Sequence, residues 1–208
     1  GDAQSTDLPQ NTSNLAGKVL RLTLDGQPAS DNPFGNPVYS FGHRNPQGIV
    51  FNPNTGDLYL TEHGPSTNDE VNRIVAGGNC GWPIVHGFCD NDIGNESGFC
   101  DANGVVEPMA AWTPTIAPSG ADFYAGAMIP EWANSLLFTT LKASTLYRLQ
   151  LSEDGKSVVG QEQLFPREFG RLRDVLVGPR GEVYLATSNR DGRGNPGAED
   201  DRIVVISR

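Results

Sequence analysis

Two stretches of the chain share one alternation of apolar and polar positions. Residues 48–61 read Gly-Ile-Val-Phe-Asn-Pro-Asn-Thr-Gly-Asp-Leu-Tyr-Leu-Thr, and residues 174–187 read Asp-Val-Leu-Val-Gly-Pro-Arg-Gly-Glu-Val-Tyr-Leu-Ala-Thr. Each is an apolar run, a Pro/Gly turn and a second run ending near Tyr-Leu, which predicts a β-hairpin. An arginine-bearing strand follows each, at 69–75 and 201–206. Two more such strands stand at 17–22 and 145–149, the latter behind the apolar run 135–141. Read as outer strands of separate units, they predict four sheets. Repeated four-stranded units of about 40 to 50 residues build a β-propeller. A two-sheet β-sandwich is the competing architecture for the same strands.

A propeller hides its strand edges by closing into a ring. Four blades with the first incomplete do not close one. The expectation is therefore an all-β single domain over residues 1–208 that forms the C-terminal portion of a longer propeller, with about a third of the ring or more missing. Residues 77–112, rich in Gly, Asn, Asp and aromatics, are expected as an irregular loop or insertion on one face. No stretch keeps helical periodicity over three turns, and residues 129–134 are expected to give a single turn.

Composition narrows the partners. The 25 glycines and 15 prolines agree with many turns, and a net charge of −10 disfavours nucleic acid or an anionic membrane surface. No apolar run of about 18 residues is present, so no membrane span is expected. The abrupt start at Gly1-Asp2, with no secretory leader, reads as a mature or truncated terminus. Of the three cysteines, Cys89 and Cys100 flank a polar loop and are expected to pair in an oxidising compartment, with free thiols as the alternative. Cys80 reads as a buried small hydrophobe, since the spacing fits no zinc site. Asn11 and Asn95 begin the short glycosylation pattern, which also arises by chance.

The densest chemistry is Gly-His-Arg-Asn-Pro-Gln-Gly at 42–48. The glycines free the backbone, and Pro46 forces Asn45 into an extended conformation, so Arg44 and Asn45 are expected to be held in place. A tight loop whose arginine caps a strand end is the plainer reading, and these residues alone leave both open.

Together with this motif stand Gly-Asp at 1–2, Gly-Lys-Val-Leu-Arg-Leu at 17–22, Thr-Glu-His-Gly-Pro at 61–65 and Asp-Glu-Val-Asn at 69–72. Gly-Trp-Pro at 81–83, Thr-Ile-Ala-Pro-Ser at 115–119, Leu-Lys at 141–142 and Gly-Arg-Leu-Arg-Asp-Val at 170–175 follow. In this order they resemble the family of soluble quinoprotein sugar dehydrogenases, the aldose sugar dehydrogenases and soluble glucose dehydrogenase, which use pyrroloquinoline quinone (PQQ) and calcium. The resemblance implies a six-bladed β-propeller. The activity it implies is oxidation of the C1 hydroxyl of an aldose to a lactone by hydride transfer to PQQ, with an external electron acceptor and a periplasmic or secreted location.

The resemblance also assigns roles. Arg44 would stabilise charge developing on the cofactor and Asn45 would hydrogen-bond it. Arg171 and Arg173, two apart in a strand, would hold its carboxylates, although pairing with Asp174 or Glu168 is the plainer reading of the residues. Lys142 would contact the cofactor; Trp112 and Thr115 would wall the site, with core packing the other role open to Trp112. The carbonyls of Gly64 and Pro65 would bind calcium, and Glu70 with the Cys80 carbonyl a second, structural calcium. Asp2 would orient a general-base histidine. That base lies upstream in the family, and His43, His63 and His86 do not replace it, so the chain alone is expected to be inactive. A non-catalytic propeller that binds a sugar or protein ligand is the alternative function.

Overall fold

The structure, a computed structural model, describes residues 1–207. The chain lays down four antiparallel sheets in sequence. β1 (Lys18–Leu20) pairs with β2 (Val38–Phe41). β3 (Pro46–Phe51), β4 (Leu58–Glu62), β5 (Asp69–Ile74) and β6 (Ala110–Trp112) follow as a meander. β7 (Pro118–Tyr124), β8 (Ser135–Thr140), β9 (Leu146–Leu151) and β10 (Val158–Leu164) repeat it. β11 (Leu172–Val177), β12 (Val183–Thr187) and β13 (Ile203–Ile206) form the last.

Both predicted hairpins are present, as β3–β4 and β11–β12. Two of the arginine-bearing strands are not outermost as expected. β5 and β9 are third in their sheets, covered by β6 and β10. These outer strands escape the eye because they bury little: β6 is half-exposed throughout, and no residue of β10 is fully buried. Among the described residues the last sheet, like the first, has fewer than four strands. Within residues 77–112 a short helix α1 (Glu96–Asn103) ends on Gly104 in the left-handed conformation, and Cys89 and Cys100 are joined by a disulfide. The turn expected near 129–134 is a 3₁₀ turn at Pro130–Trp132.

The sheets stack in series through three apolar layers. Val19 on the first sheet meets Leu60 and Ile74 on the second. Tyr59 and Val71 of the second meet Leu136, Phe138, Tyr147 and Leu149 of the third. Leu137 and Leu146 of the third meet Leu172, Val175 and Leu185 of the fourth. A two-sheet sandwich has one such layer, so the series rules it out. All six residues of β8 are buried, with Leu136 and Phe138 facing one layer and Leu137 the other. That double burial is why 135–141 reads as a continuous apolar run. Each such side chain contributes about 1.5–3 kcal/mol.

The inner strands β3, β7 and β11 stand next to one another across the layers. Gly48 permits this on β3: a Cβ there would lie 2.6 Å from the Ser119 carbonyl and 2.8 Å from the Ala121 amide. All three inner strands shift register at their first residues, between Pro46 and Gly48, Pro118 and Ala121, and Leu172 and Asp174. Bulges of this kind re-aim side chains at a sheet's end. In an antiparallel meander the starts of β3, β5, β7 and β11 share one rim with the ends of β4, β6, β8 and β12. Every candidate residue from Arg44 onward, Cys80 in the loop after β5 aside, sits at or next to that rim.

Candidate functional site at the sheet rim

From β2 the chain turns at Gly42, whose φ is +75°, and enters β3 at Pro46. Between them His43 is fully buried, with Nε2 2.8 Å from Ser40 Oγ and Nδ1 3.0 Å from Glu62 Oε2. Burial alone disfavours the imidazolium, but the neighbouring Cys80 and Glu62 side chains outweigh it and raise His43 to about 10. Glu62 also accepts the Arg44 amide. A carboxylate at the end of β4 thus fixes the backbone under Arg44. The Arg44 side chain donates Nη1 to the His63 carbonyl at 3.1 Å and to the Gly64 carbonyl at 2.8 Å, and its guanidinium lies 5.3 Å from the centre of the Trp82 ring.

Asp2 stands against this group. Its amide donates to the Arg44 carbonyl at 2.7 Å, and its Oδ2 accepts from Trp82 Nε1 at 3.0 Å. Asn45 Oδ1 accepts from Gln47 Nε2, and Asn45 Nδ2 lies 3.5 Å from His63 Nδ1. His63 Nε2 donates to the Pro118 carbonyl at 2.7 Å.

Buried Asp69 ties two loops together. Its Oδ1 accepts from Gly64 N at 2.9 Å, and its Oδ2 accepts from Ile116 N and Ala117 N, both at 2.6 Å. Thr115 lies next to that staple, and its Oγ1 accepts from Lys142 Nζ at 2.6 Å. Lys142 follows Leu141, whose carbonyl accepts from Arg171 Nη1 at 3.1 Å. Arg171 and Arg173 converge on Asp191, at 2.7 and 3.9 Å. The carboxylate they share is therefore Asp191, a residue the sequence did not single out, and neither Asp174 nor Glu168. Lys142, Arg167, Arg171, Arg193 and Arg202 line a cavity of about 540 Å³ beside these contacts.

Trp112 packs 5.3 Å from Phe138 and 5.8 Å from Tyr147, so its ring extends the second apolar layer while staying half-exposed. Pro65 is exposed next to Gly64. Glu70 accepts from Gly87 N at 2.8 Å and Asn72 Nδ2 at 2.9 Å; desolvation, then the Glu62 charge, push it up to about 8. The Oδ1 of Asn72 is buried without a partner. Cys80 is buried as a free thiol. Among the described residues no three His, Cys, Asp or Glu side chains converge on a metal position. Contacts therefore run continuously from Asp2 through Arg44, Gly64, Asp69, Ile116 and Lys142 to Arg171, with Glu70 and Cys80 outside that run.

Sequence reasoning missed Glu62, Asp69 and Asp191. A signal existed for Asp69: it opens the third strand of its sheet, and Asp201, at the matching place in the last, also holds a preceding loop by accepting from Asn189 N.

A family model described as glucose/sorbosone dehydrogenase matches residues 1–196. The chain is 33% identical to quinoprotein glucose dehydrogenase B of Acinetobacter calcoaceticus, over 90% of its length and 50% of that protein's. It is 33% identical to aldose sugar dehydrogenase YliI of Escherichia coli, over 92% of its length and 53% of that protein's. Thus it spans about half the length of these relatives. Against the PQQ-bound aldose sugar dehydrogenase of Streptomyces coelicolor it superposes with a TM-score of 0.83 at 37% identity, covering all of this chain and 56% of that one.

Proposed function

The chain belongs to the glucose/sorbosone dehydrogenase family, and on that premise we propose that it is part of a PQQ- and calcium-dependent oxidoreductase that converts the C1 hydroxyl of an aldose to the lactone. The observation that carries this reading is the gathering of cations at one rim: Arg44, Lys142, Arg171 and Arg173 come from four distant parts of the chain, and hydrogen bonds link the first three through Gly64, Asp69 and Leu141. A rigid tricarboxylate needs this kind of donor set, with planar forks that grip carboxylates and a point charge between them.

PQQ, when bound, supplies a two-electron hydride acceptor. Lys142, Arg171 and Arg173 would hold its carboxylates, Asn45 and Arg44 its quinone side, and Thr115 and Trp112 the adjoining wall. Calcium would take the carbonyls of Gly64 and Pro65, and a second ion the Glu70 carboxylate and the Cys80 carbonyl. The orphaned Oδ1 of Asn72 next to Glu70 fits a hard cation there. Asp2, pinned by its backbone to Arg44, would orient the histidine that takes the hydroxyl proton, which we place upstream in a longer protein.

A six-bladed ring is part of the same proposal. Ile49 and Phe51 on β3 are 54% and 64% exposed, and Leu176 and Ile203 on the last sheet 60% and 69%. Apolar faces left open on β3 beside the short first sheet and on the last sheet favour further strands covering them. The Cys89–Cys100 disulfide supports a periplasmic or secreted location, with an external electron acceptor completing the cycle.

Titration calorimetry of PQQ into the full-length protein, with and without calcium, tests the reading, alongside dye-linked aldose oxidation. Calcium-dependent binding with turnover is expected. Absence of calcium-dependent binding, or binding without oxidation, overturns it.

A further inference from the structure

The Gly-Trp-Pro motif at 81–83 has no part in the function above, yet its indole closes a three-sided contact at the most occupied point of the rim. Asp2 N donates to the Arg44 carbonyl at 2.7 Å. Trp82 Nε1 donates to Asp2 Oδ2 at 3.0 Å. The Arg44 guanidinium lies over the Trp82 ring at 5.3 Å. One side chain therefore touches both the carboxylate and the guanidinium, by two different forces. The indole is itself fixed. Its backbone amide donates to the Gly42 carbonyl at 3.1 Å, its carbonyl accepts from Gln10 Nε2 at 2.8 Å, and the His86 ring stacks on it at 4.8 Å.

Resting on the functional reading above, we propose that Trp82 is a positioning residue: its N–H fixes the rotation of the Asp2 carboxylate while its ring face fixes the Arg44 guanidinium. The group assigned to orient the base and the group assigned to stabilise charge thereby keep one separation. The geometry gives the division of labour. Oδ1 of Asp2 accepts from Gln4 N at 3.0 Å and Oδ2 from Trp82. Two donors on different oxygens set the plane of the carboxylate, and each oxygen keeps a lone pair for a further donor. A cation over an indole is held along the ring normal and is free to slide across the ring. The carbonyls of His63 and Gly64 remove that freedom from Arg44. Neither constraint touches substrate, so loss of Trp82 shifts alignment without removing a reacting group.

Trp82→Phe keeps the ring face and deletes the N–H. In the full-length enzyme, kcat is expected to fall about tenfold, the size of one hydrogen bond to a charged group. KM for the aldose and the affinity for PQQ should stay within about twofold. The acid limb of the pH–rate profile should move to higher pH, because a carboxylate with one donor fewer is more basic and holds the proton on a partner histidine more tightly. An unchanged kcat and pH profile in an otherwise active enzyme overturns the positioning role. A second measurement is independent of activity. In the cofactor-free protein the indole N–H resonance of Trp82 should lie downfield and exchange slowly with solvent. Asp2→Asn should move it upfield, while Asp154→Asn on the distant β9–β10 turn should not. If Asp2→Asn leaves the resonance in place, the clamp is refuted even where Trp82→Phe fails to fold. A protein that oxidises no aldose refutes the functional reading and leaves the resonance test to decide the clamp.

Discussion

The Nη1 of Arg44 donates to the carbonyl of Gly64 at 2.8 Å, so a guanidinium touches the oxygen that the proposed function gives to calcium. Two cations at one carbonyl repel unless an anion lies between them. Calcium should therefore bind weakly in the absence of PQQ. Arg44→Gln should tighten calcium roughly tenfold in the cofactor-free protein and weaken PQQ. Calorimetry with buffered calcium reads both. A calcium affinity indifferent to Arg44 removes Gly64 from the ligand set.

Asp69 carries three backbone amides from two loops on one buried carboxylate. Truncating it strands donors at Gly64, Ile116 and Ala117, and hydrogen bonds to a charged group are the expensive ones to lose. Asp69→Ala should cost about 3 kcal/mol or more. Asp69→Asn, which keeps one acceptor oxygen, should cost less. Denaturant titration of both variants checks the order.

What the sequence revealed and what it hid follow from the same distinction. The β3–β4 and β11–β12 hairpins were legible because β3 and β12 alternate in burial, which writes a period of two into the chain, and a Pro/Gly turn closes each. The buried β8 was legible as an unbroken apolar run. β6 and β10 were not, because an outermost strand has little to bury. At the site, Arg44, Lys142 and Arg171 could be named from motifs and the family resemblance. Glu62, Asp69 and Asp191 act through carboxylates reaching backbone amides or guanidinium groups far away in sequence, and such a contact leaves no spacing to read. The recurrence of Asp69 as Asp201 shows that the internal repeat carried more than strand positions.

Stability should depend on pH through one buried and one half-buried group with shifts of the same sign. His43 faces Ser40, Glu62 and Cys80, and rises from 6.5 to about 10; Glu70 faces Glu62, His43, Asn72 and the Gly87 amide, and rises from 4.5 to about 8. Each binds its proton more tightly folded than unfolded. The Glu70 contribution is full below its unfolded value and lost as pH rises through about 8, and the His43 contribution is lost through about 10. In calcium-free buffer the denaturant midpoint should fall steadily from weakly acidic to alkaline pH. His43→Gln, less stable throughout, should lose the alkaline part of that fall. A midpoint that rises over this range contradicts both shifts.

Arg171 and Arg173 look equivalent in sequence and are not equivalent in space. Asp191 Oδ2 accepts from Nε of Arg171 at 3.0 Å and from Nη2 at 2.7 Å, and Leu141 takes Nη1. Arg173 lies 3.9 Å from the same oxygen with its side chain 46% exposed. An incoming carboxylate therefore meets Arg173 as an open fork and Arg171 as one already engaged by an anion. Asp191→Asn leaves the shape of the pair and removes the competing charge, so PQQ should bind more tightly at low salt, by roughly tenfold, and the gain should shrink as salt screens it. Arg173→Ala should weaken binding in both backgrounds. A salt series of PQQ titrations on the full-length protein separates the two effects. Weaker binding in Asp191→Asn would mean that Asp191 serves mainly to aim Arg171, with its charge a lesser cost.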